Sequence, residues 1–187
     1  EIYMGDWSSD VCSSDLRNCL LIGPSKIALL QGRSAIRFCM LRDGTEGVVA
    51  NATRADVDSC SFGNLSGNYI DNQSNVSVVN CAAWGSGGSS KWYNSTTSVR
   101  ATALSNNAVG NMGAGNTNLG DWINQDEVAL SVDPYTSSTD MTPNNTAGGG
   151  ADLQAAGLFP YLDIGAIQVQ AGSGGGGAGS IFAGGIF

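Results

Sequence analysis

The chain contains no histidine, and only 13% of its 187 residues are charged. Without histidine it lacks the side chain that most often shuttles protons near neutral pH. Its 8 lysines and arginines form no basic run, which argues against a nucleic-acid partner. No stretch of eighteen apolar residues occurs, so no membrane span is expected. Between residues 17 and 106 no unit has the three-and-four spacing of an amphipathic helix. Nor do any two cysteines stand two to four residues apart, the usual spacing of a metal-binding pair. The sequence therefore implies no metal and no cofactor.

What is abundant is glycine, at 27 residues, with much Ser, Thr and Asn, a neutral hydrogen-bonding composition that suits an extracellular setting or a particle surface. Through it runs a fixed period. Cys19, Cys39, Cys60 and Cys81 follow at steps of 20, 21 and 21 residues. Three residues before them stand Leu16, Ile36, Val57 and Val78; two after stand Leu21, Leu41, Phe62 and Ala83. Ten after come Leu29, Val49 and Ile70, with Trp92 one place late. A weaker fifth copy is expected at Val99, Ala101 and Leu104, with leucine in the cysteine slot. A period near twenty marks a solenoid.

Inside a unit apolar residues alternate, as at Val76 and Val78, then step by two residues to Cys81 and Ala83. Alternation means strands with one face inward, and the two-residue step means a bend. Each unit is therefore expected to be one coil of a parallel β-helix, stacked about 4.8 Å from the next. The segments Ala55–Phe62 and Val76–Ala83 resemble the right-handed, pectate-lyase-like β-helix repeat family. The resemblance implies an all-β, single-stranded right-handed parallel β-helix of about five coils over residues 16–106, with a carboxy-terminal capping segment.

Residues 1–15 do not share the period. Their Ser-Ser-Asp-Val and Ser-Ser-Asp-Leu near-duplicate resembles translated sequencing-adapter DNA, and they have neither the basic region nor the apolar core of a signal peptide. They are set aside as an artefactual leader, together with Trp7 and Cys12, and the natural protein is expected to extend further upstream. The net charge of −8 then becomes −4, from 12 acids and 8 bases.

Cysteines in one slot of successive coils should stack inward as reduced, buried small hydrophobes, with one disulfide between neighbouring coils as the alternative. Charges stack by register as well: Lys26 over Glu46, and Arg17, Arg37 and Asp58 in one column. In the fourth coil Trp84, Trp92 and Tyr93 flank a glycine-serine insertion at 85–90. Aromatic faces beside polar groups hold sugar rings by stacking and hydrogen bonding, so these three, with Trp122 in the aperiodic stretch 106–125, are the candidate glycan contacts. The competing reading puts Trp92 inward and Trp84 over a coil edge. Six Asn-x-Ser/Thr sequons, at Asn51, Asn64, Asn72, Asn75, Asn94 and Asn144, arise readily in this composition and are not read as glycosylation sites.

Alternation returns at Val128, Leu130 and Val132, followed by Asp133-Pro134-Tyr135, residues 151–157 and Leu162–Ile167. That order resembles the ending of secreted and viral β-helix proteins, with Asp163-Ile164-Gly165-Ala166 best kept, and implies a segment covering the rim of the last coil. Residues 107–170 are thus loop, last strands and cap; residues 171–187 read as a flexible, glycine-rich tail. Two functions are open. One is a non-catalytic module of a secreted or virus or phage surface protein that binds polysaccharide or cell-surface glycan or only spans space, with self-association as a further partner class. The other is the end of a polysaccharide lyase or glycoside hydrolase whose catalytic coils lie upstream. A lyase reading would use Arg37, Arg42, Asp43, Asp56 and Asp58 as base and calcium ligands, although calcium needs six or more oxygens from converging groups.

Overall fold

A computed structural model of the chain describes residues 16–23, 25–72, 76–87, 91–95, 103–112, 128–157 and 160–168; at 28–32, 50, 52–53, 72, 91, 93–95 and 103–104 it describes the backbone alone. The described chain is all-β, apart from one 3₁₀ turn at Gly150–Leu153. Thirteen strands pair in parallel and wind as a solenoid with three walls. The first wall holds β1 (Leu16–Arg17), the second halves of β3 (Lys26–Arg37) and β5 (Glu46–Asp58), β8 (Val76–Val79) and β11 (Ala103–Ser105). The second holds β2 (Leu20–Ile22), β4 (Met40–Arg42), β6 (Ser61–Gly63), β9 (Ala82–Trp84), β12 (Ala108–Gly110) and β13 (Val128–Leu130). The third holds the first halves of β3 and β5, then β7 (Asn68–Asn72) and β10 (Lys91–Ser95). The coils on Cys39, Cys60 and Cys81 carry all three walls, about three full turns rather than five. The first coil opens on the two-residue β1, and the coil after β12 runs into residues outside those described.

The period reappears as register. Leu16, Ile36, Val57, Val78 and Leu104 are successive partners in the first wall. Leu21, Leu41, Phe62, Ala83 and Val109 are successive partners in the second. The inward-facing members fill a core with Trp92, Tyr69 and Ile70. The third wall departs from the ten-residue rule: Leu29 pairs with Val49, but Ile70 pairs with Val48. The fifth copy also departs. Leu104 lies three residues ahead of the cysteine slot, and the slot itself is filled by Asn107, because the fourth coil is lengthened to 26 residues by its insertion.

The bend between first and second walls explains the repeated slot. The residue before it has positive φ at each described bend: Asn18 (54°), Phe38 (52°), Ser59 (50°), Asn80 (57°) and Asn106 (53°). A left-handed residue turns the chain sharply, and Asn tolerates it best of the non-glycine types. Coil-to-coil bonds continue across the bend, from Met40 N to Cys19 O, Ser61 N to Cys39 O and Ala82 N to Cys60 O, each 2.9 Å. The thiols of Cys19, Cys39, Cys60 and Cys81 donate to the carbonyl two residues back, at 3.2 to 3.4 Å. All four are free thiols. Cysteine suits the slot because it is small and apolar and still carries a weak donor for the bend carbonyl. Asn107 does the same work with stronger groups: its amide donates to Val78 O at 3.1 Å and accepts from Cys81 N at 3.0 Å.

The described part of the carboxy-terminal segment, residues 131–157 and 160–168, packs against the second wall. It folds back along the outer face of the second wall, whose Met40, Ser61, Ala82 and Ala108 are consequently buried. Met40 packs with Tyr135, Met141, Ala166 and Ile167, while Ala82 and Ala108 pack with Leu130, Leu153 and Ile164. Ala166 N donates to Ser61 Oγ (2.9 Å), Gly165 N to Asn80 O (2.8 Å) and Tyr161 Oη to Asp58 Oδ2 (2.9 Å). This wall is therefore largely covered on both faces, and the reason is chemical: its outward positions are apolar or small, except Arg42, which pairs with Asp43.

Candidate functional site

Trp84 ends β9, between Gly63 of the coil before and Gly110 of the coil after. The glycines make room. A Cβ on Gly110 would lie 2.4 Å from the Trp84 ring, so the indole packs directly against the next coil where only glycine leaves it room. Over Gly63 stand the Tyr135 ring and the Met141 methyl, at 3.5 and 3.3 Å from where a Cβ would be. Between this corner and the returning segment is a cavity of about 180 Å³, lined by Trp84, Asn64, Ser86, Asp133, Tyr135 and Ser137 among others.

The support beneath it is rigid. Tyr69 Oη, inside the core, donates to Trp84 O at 2.7 Å and accepts from Leu65 N at 3.2 Å. Tyr135 Oη reaches the carbonyls of Phe62 and Ala82 at 3.0 and 3.1 Å. Burial pushes both phenols well above their ordinary range, so they stay protonated donors. Around the rim, Asn64 donates to Asp43 Oδ1 (2.6 Å), Ser86 Oγ to Leu65 O (3.2 Å), and Asp133 Oδ1 accepts from Tyr135 N (2.9 Å). The result is a half-buried indole beside hydroxyls, an amide and the Asp133 carboxylate, and an aromatic surface next to polar groups is the chemistry by which sugar rings are commonly held.

The other expected contacts divide. Trp92 is a correction: it is fully buried, edge-on to Phe62 at 5.8 Å between centroids, and offers no ring face to a ligand. It fills the inward slot of a coil whose residue 83 is only alanine. Tyr93 pairs with Ile70 in β10, but its side chain lies outside the described residues, as does all of Trp122. The register pairs expected from sequence are present as Lys26–Glu46 (3.5 Å) and Arg37–Asp58 (3.9 Å).

The residues of the lyase reading fall in two places. Arg37, Asp56 and Asp58 share the outer face of the first wall, whereas Arg42 and Asp43 pair with each other at the corner beyond β4, next to Asn64. Among the described residues no three His, Cys, Asp or Glu side chains are grouped to hold a metal ion. On the first wall lies a second cavity, of about 290 Å³, lined by Arg33, Ser34, Ala35, Arg37, Arg54 and Asp56. Arg33 and Arg54 were not singled out above, although they are spaced by the same 21 residues as Cys39 and Cys60. Asn144, one of the sequons, is committed internally: its amide donates to Asp133 O (2.8 Å) and Tyr135 O (2.9 Å) and accepts from Thr146 N (3.0 Å) and Gly150 N (3.1 Å).

Comparison of the chain with protein families, curated proteins and solved structures gives no match.

Proposed function

We propose that this β-solenoid is a non-catalytic, glycan-contacting module of a secreted or virion-surface protein, with the Trp84 cleft as its contact. The observation that carries the reading is the half-buried indole packed against Gly110 and bordered by Asn64, Ser86 and Ser137. A stiff wall of stacked strands under an aromatic face keeps the ordering cost of binding low, because the site is formed before the ligand arrives. A sparsely charged surface rich in Ser, Thr and Asn is consistent with display outside the cell. The fold by itself assigns no activity.

The test is electrophoresis of the full chain through gels containing neutral or acidic polysaccharides. Retardation by at least one polysaccharide is expected, and its loss in Trp84→Ala. Ser138→Trp provides a second arm, because Ser138 is an exposed lining residue and the substitution fills the cleft without touching the core. Unretarded wild type, or retardation that survives Ser138→Trp, would count against the cleft. The lyase alternative retains one supporting observation, the shared face of Arg37, Asp56 and Asp58. Incubation with polyuronates and calcium, monitored for unsaturated product, separates it from binding alone.

A further inference from the structure

We infer that the trench on the outer face of the first wall is an oxyanion-binding site, built by Arg33 and Arg54 and flanked by Arg37. It lies on a different wall from Trp84 and does not depend on that reading. Arg33 and Arg54 are direct register partners on neighbouring strands, just past a β-bulge at Gly32 and Arg33. Register partners in a parallel pair are about 4.8 Å apart, and like charges so placed repel. A solenoid that only needed a solvated face could alternate the signs, as Lys26–Glu46 and Arg37–Asp58 do. At this row it does not.

The pairing pattern sharpens the point. Arg54 Nε reaches Asp56 Oδ1 at 3.3 Å, and Arg37 is drawn toward Asp58. No carboxylate among the described residues pairs with Arg33, which is exposed. The next outward position, Ala35, has no side chain long enough to fill the space, and it and Ser34 form a buried floor. The trench thus runs beside the buried Ala35 and is lined by arginines from both strands. Four of the chain's 8 cations, Arg17, Arg33, Arg37 and Arg54, stand on this face, against Asp56 and Asp58. The remainder of the molecule is acidic, so this face is where an anion would be steered.

Guanidinium groups recognise planar or tetrahedral oxyanions through paired N–H bonds, which an ammonium cannot match. A volume of about 290 Å³ holds more than a bare ion, so the ligand is an anionic substituent on a group of monosaccharide size, either a carboxylate or a sulfate ester.

The experiment is NMR of the full chain carrying ¹⁵N-labelled arginine, titrated with sulfate, with acetate, and with chloride at matched ionic strength. Saturable shifts at the Nε–Hε groups of Arg33 and Arg54 are expected with sulfate, acetate or both, and only a gradual drift with chloride. Sulfate alone identifies an ester as the source; acetate alone identifies a carboxylate. Arg33→Gln should weaken the saturable response at least tenfold, and Arg54→Gln, at a side chain 65% exposed, is a second variant with little bearing on folding. Non-saturating shifts in all three salts, or saturation unchanged by both substitutions, would overturn the assignment.

Discussion

At the scale of single residues, the bend before the cysteine slot concentrates most of the sequence's conformational cost. Asn80 illustrates it: φ is 57°, and its amide donates to Ser59 Oγ (3.0 Å) and Asp163 O (2.9 Å) while accepting from Asn106 Nδ2 (3.0 Å). One side chain therefore ties three successive bends and the returning segment together. Asn80→Ala keeps a Cβ in the left-handed region and removes these bonds, each worth about 1 kcal/mol net, so a loss of about 2–4 kcal/mol is expected. Asn80→Gly loses the same bonds but not the Cβ clash, and should be less harmful by about 1 kcal/mol. Urea unfolding of the two variants checks this. Equal losses would mean that backbone strain contributes nothing at the bend.

Much at this scale was legible beforehand. The inward columns and the ion pairs follow from counting in steps of twenty or twenty-one, because a parallel solenoid places equal positions one above another. Asn107 was missed because the insertion after Trp84 changes the count and because the slot takes an amide as well as a thiol. Arg33 and Arg54 obeyed the count, but charge alone did not distinguish them from a solvated face until the cavity they line was apparent.

At the scale of elements, the second wall is where sequence reading failed. Its strands are three residues long, too short for alternation to show which face is outward. The available signal was that the residue between the cysteine and the inward residue is apolar or small, as Met40 before Leu41, Ser61 before Phe62 and Ala82 before Ala83, which implies burial from both sides. The returning segment provides that second cover, and it is fastened by a few contacts. Gly165 has φ 102°, and a Cβ there would stand 2.7 Å from Ser61 Oγ. Gly165→Val should therefore lift the segment from the wall, with a loss of about 2–3 kcal/mol. Tyr135→Phe, which deletes only the buried hydroxyl, should lose about 1 kcal/mol. In both variants the amides of Ile164, Gly165 and Ala166 should exchange with solvent faster, while those of β5 and β7 in the third wall keep wild-type rates. Uniform acceleration across all walls would show that the segment is part of a single cooperative unit instead.

At the scale of the whole molecule, the buried weak acids set a limit on alkaline stability. Burial raises the Cys39 and Cys60 thiols and the Tyr69 and Tyr135 phenols, so the folded chain keeps these four protons well past their ordinary values. The unfolded chain releases them from about pH 8.5 for thiols and about pH 10 for phenols. A group raised in the folded state contributes its full stability below the unfolded value and loses it as pH climbs toward the folded one. Each such group removes about 1.4 kcal/mol per pH unit in that window. The two thiols together then remove about 3 kcal/mol per unit above pH about 9, and the phenols add a similar slope above about 10. Against a total stability of about 5–15 kcal/mol, cooperative unfolding is expected between about pH 10 and 12. Tyrosinate absorbance of the buried phenols should appear with that transition and not before it. Denaturant titrations at pH 8, 9 and 10 should show the slope, and Cys39→Ala with Cys60→Ala should remove most of it between pH 9 and 10 while lowering stability at pH 8. If the double variant keeps the wild-type slope, the thiol column is not what limits the fold in alkali, and the inward stacking of the cysteines carries less of the stability than their register suggests.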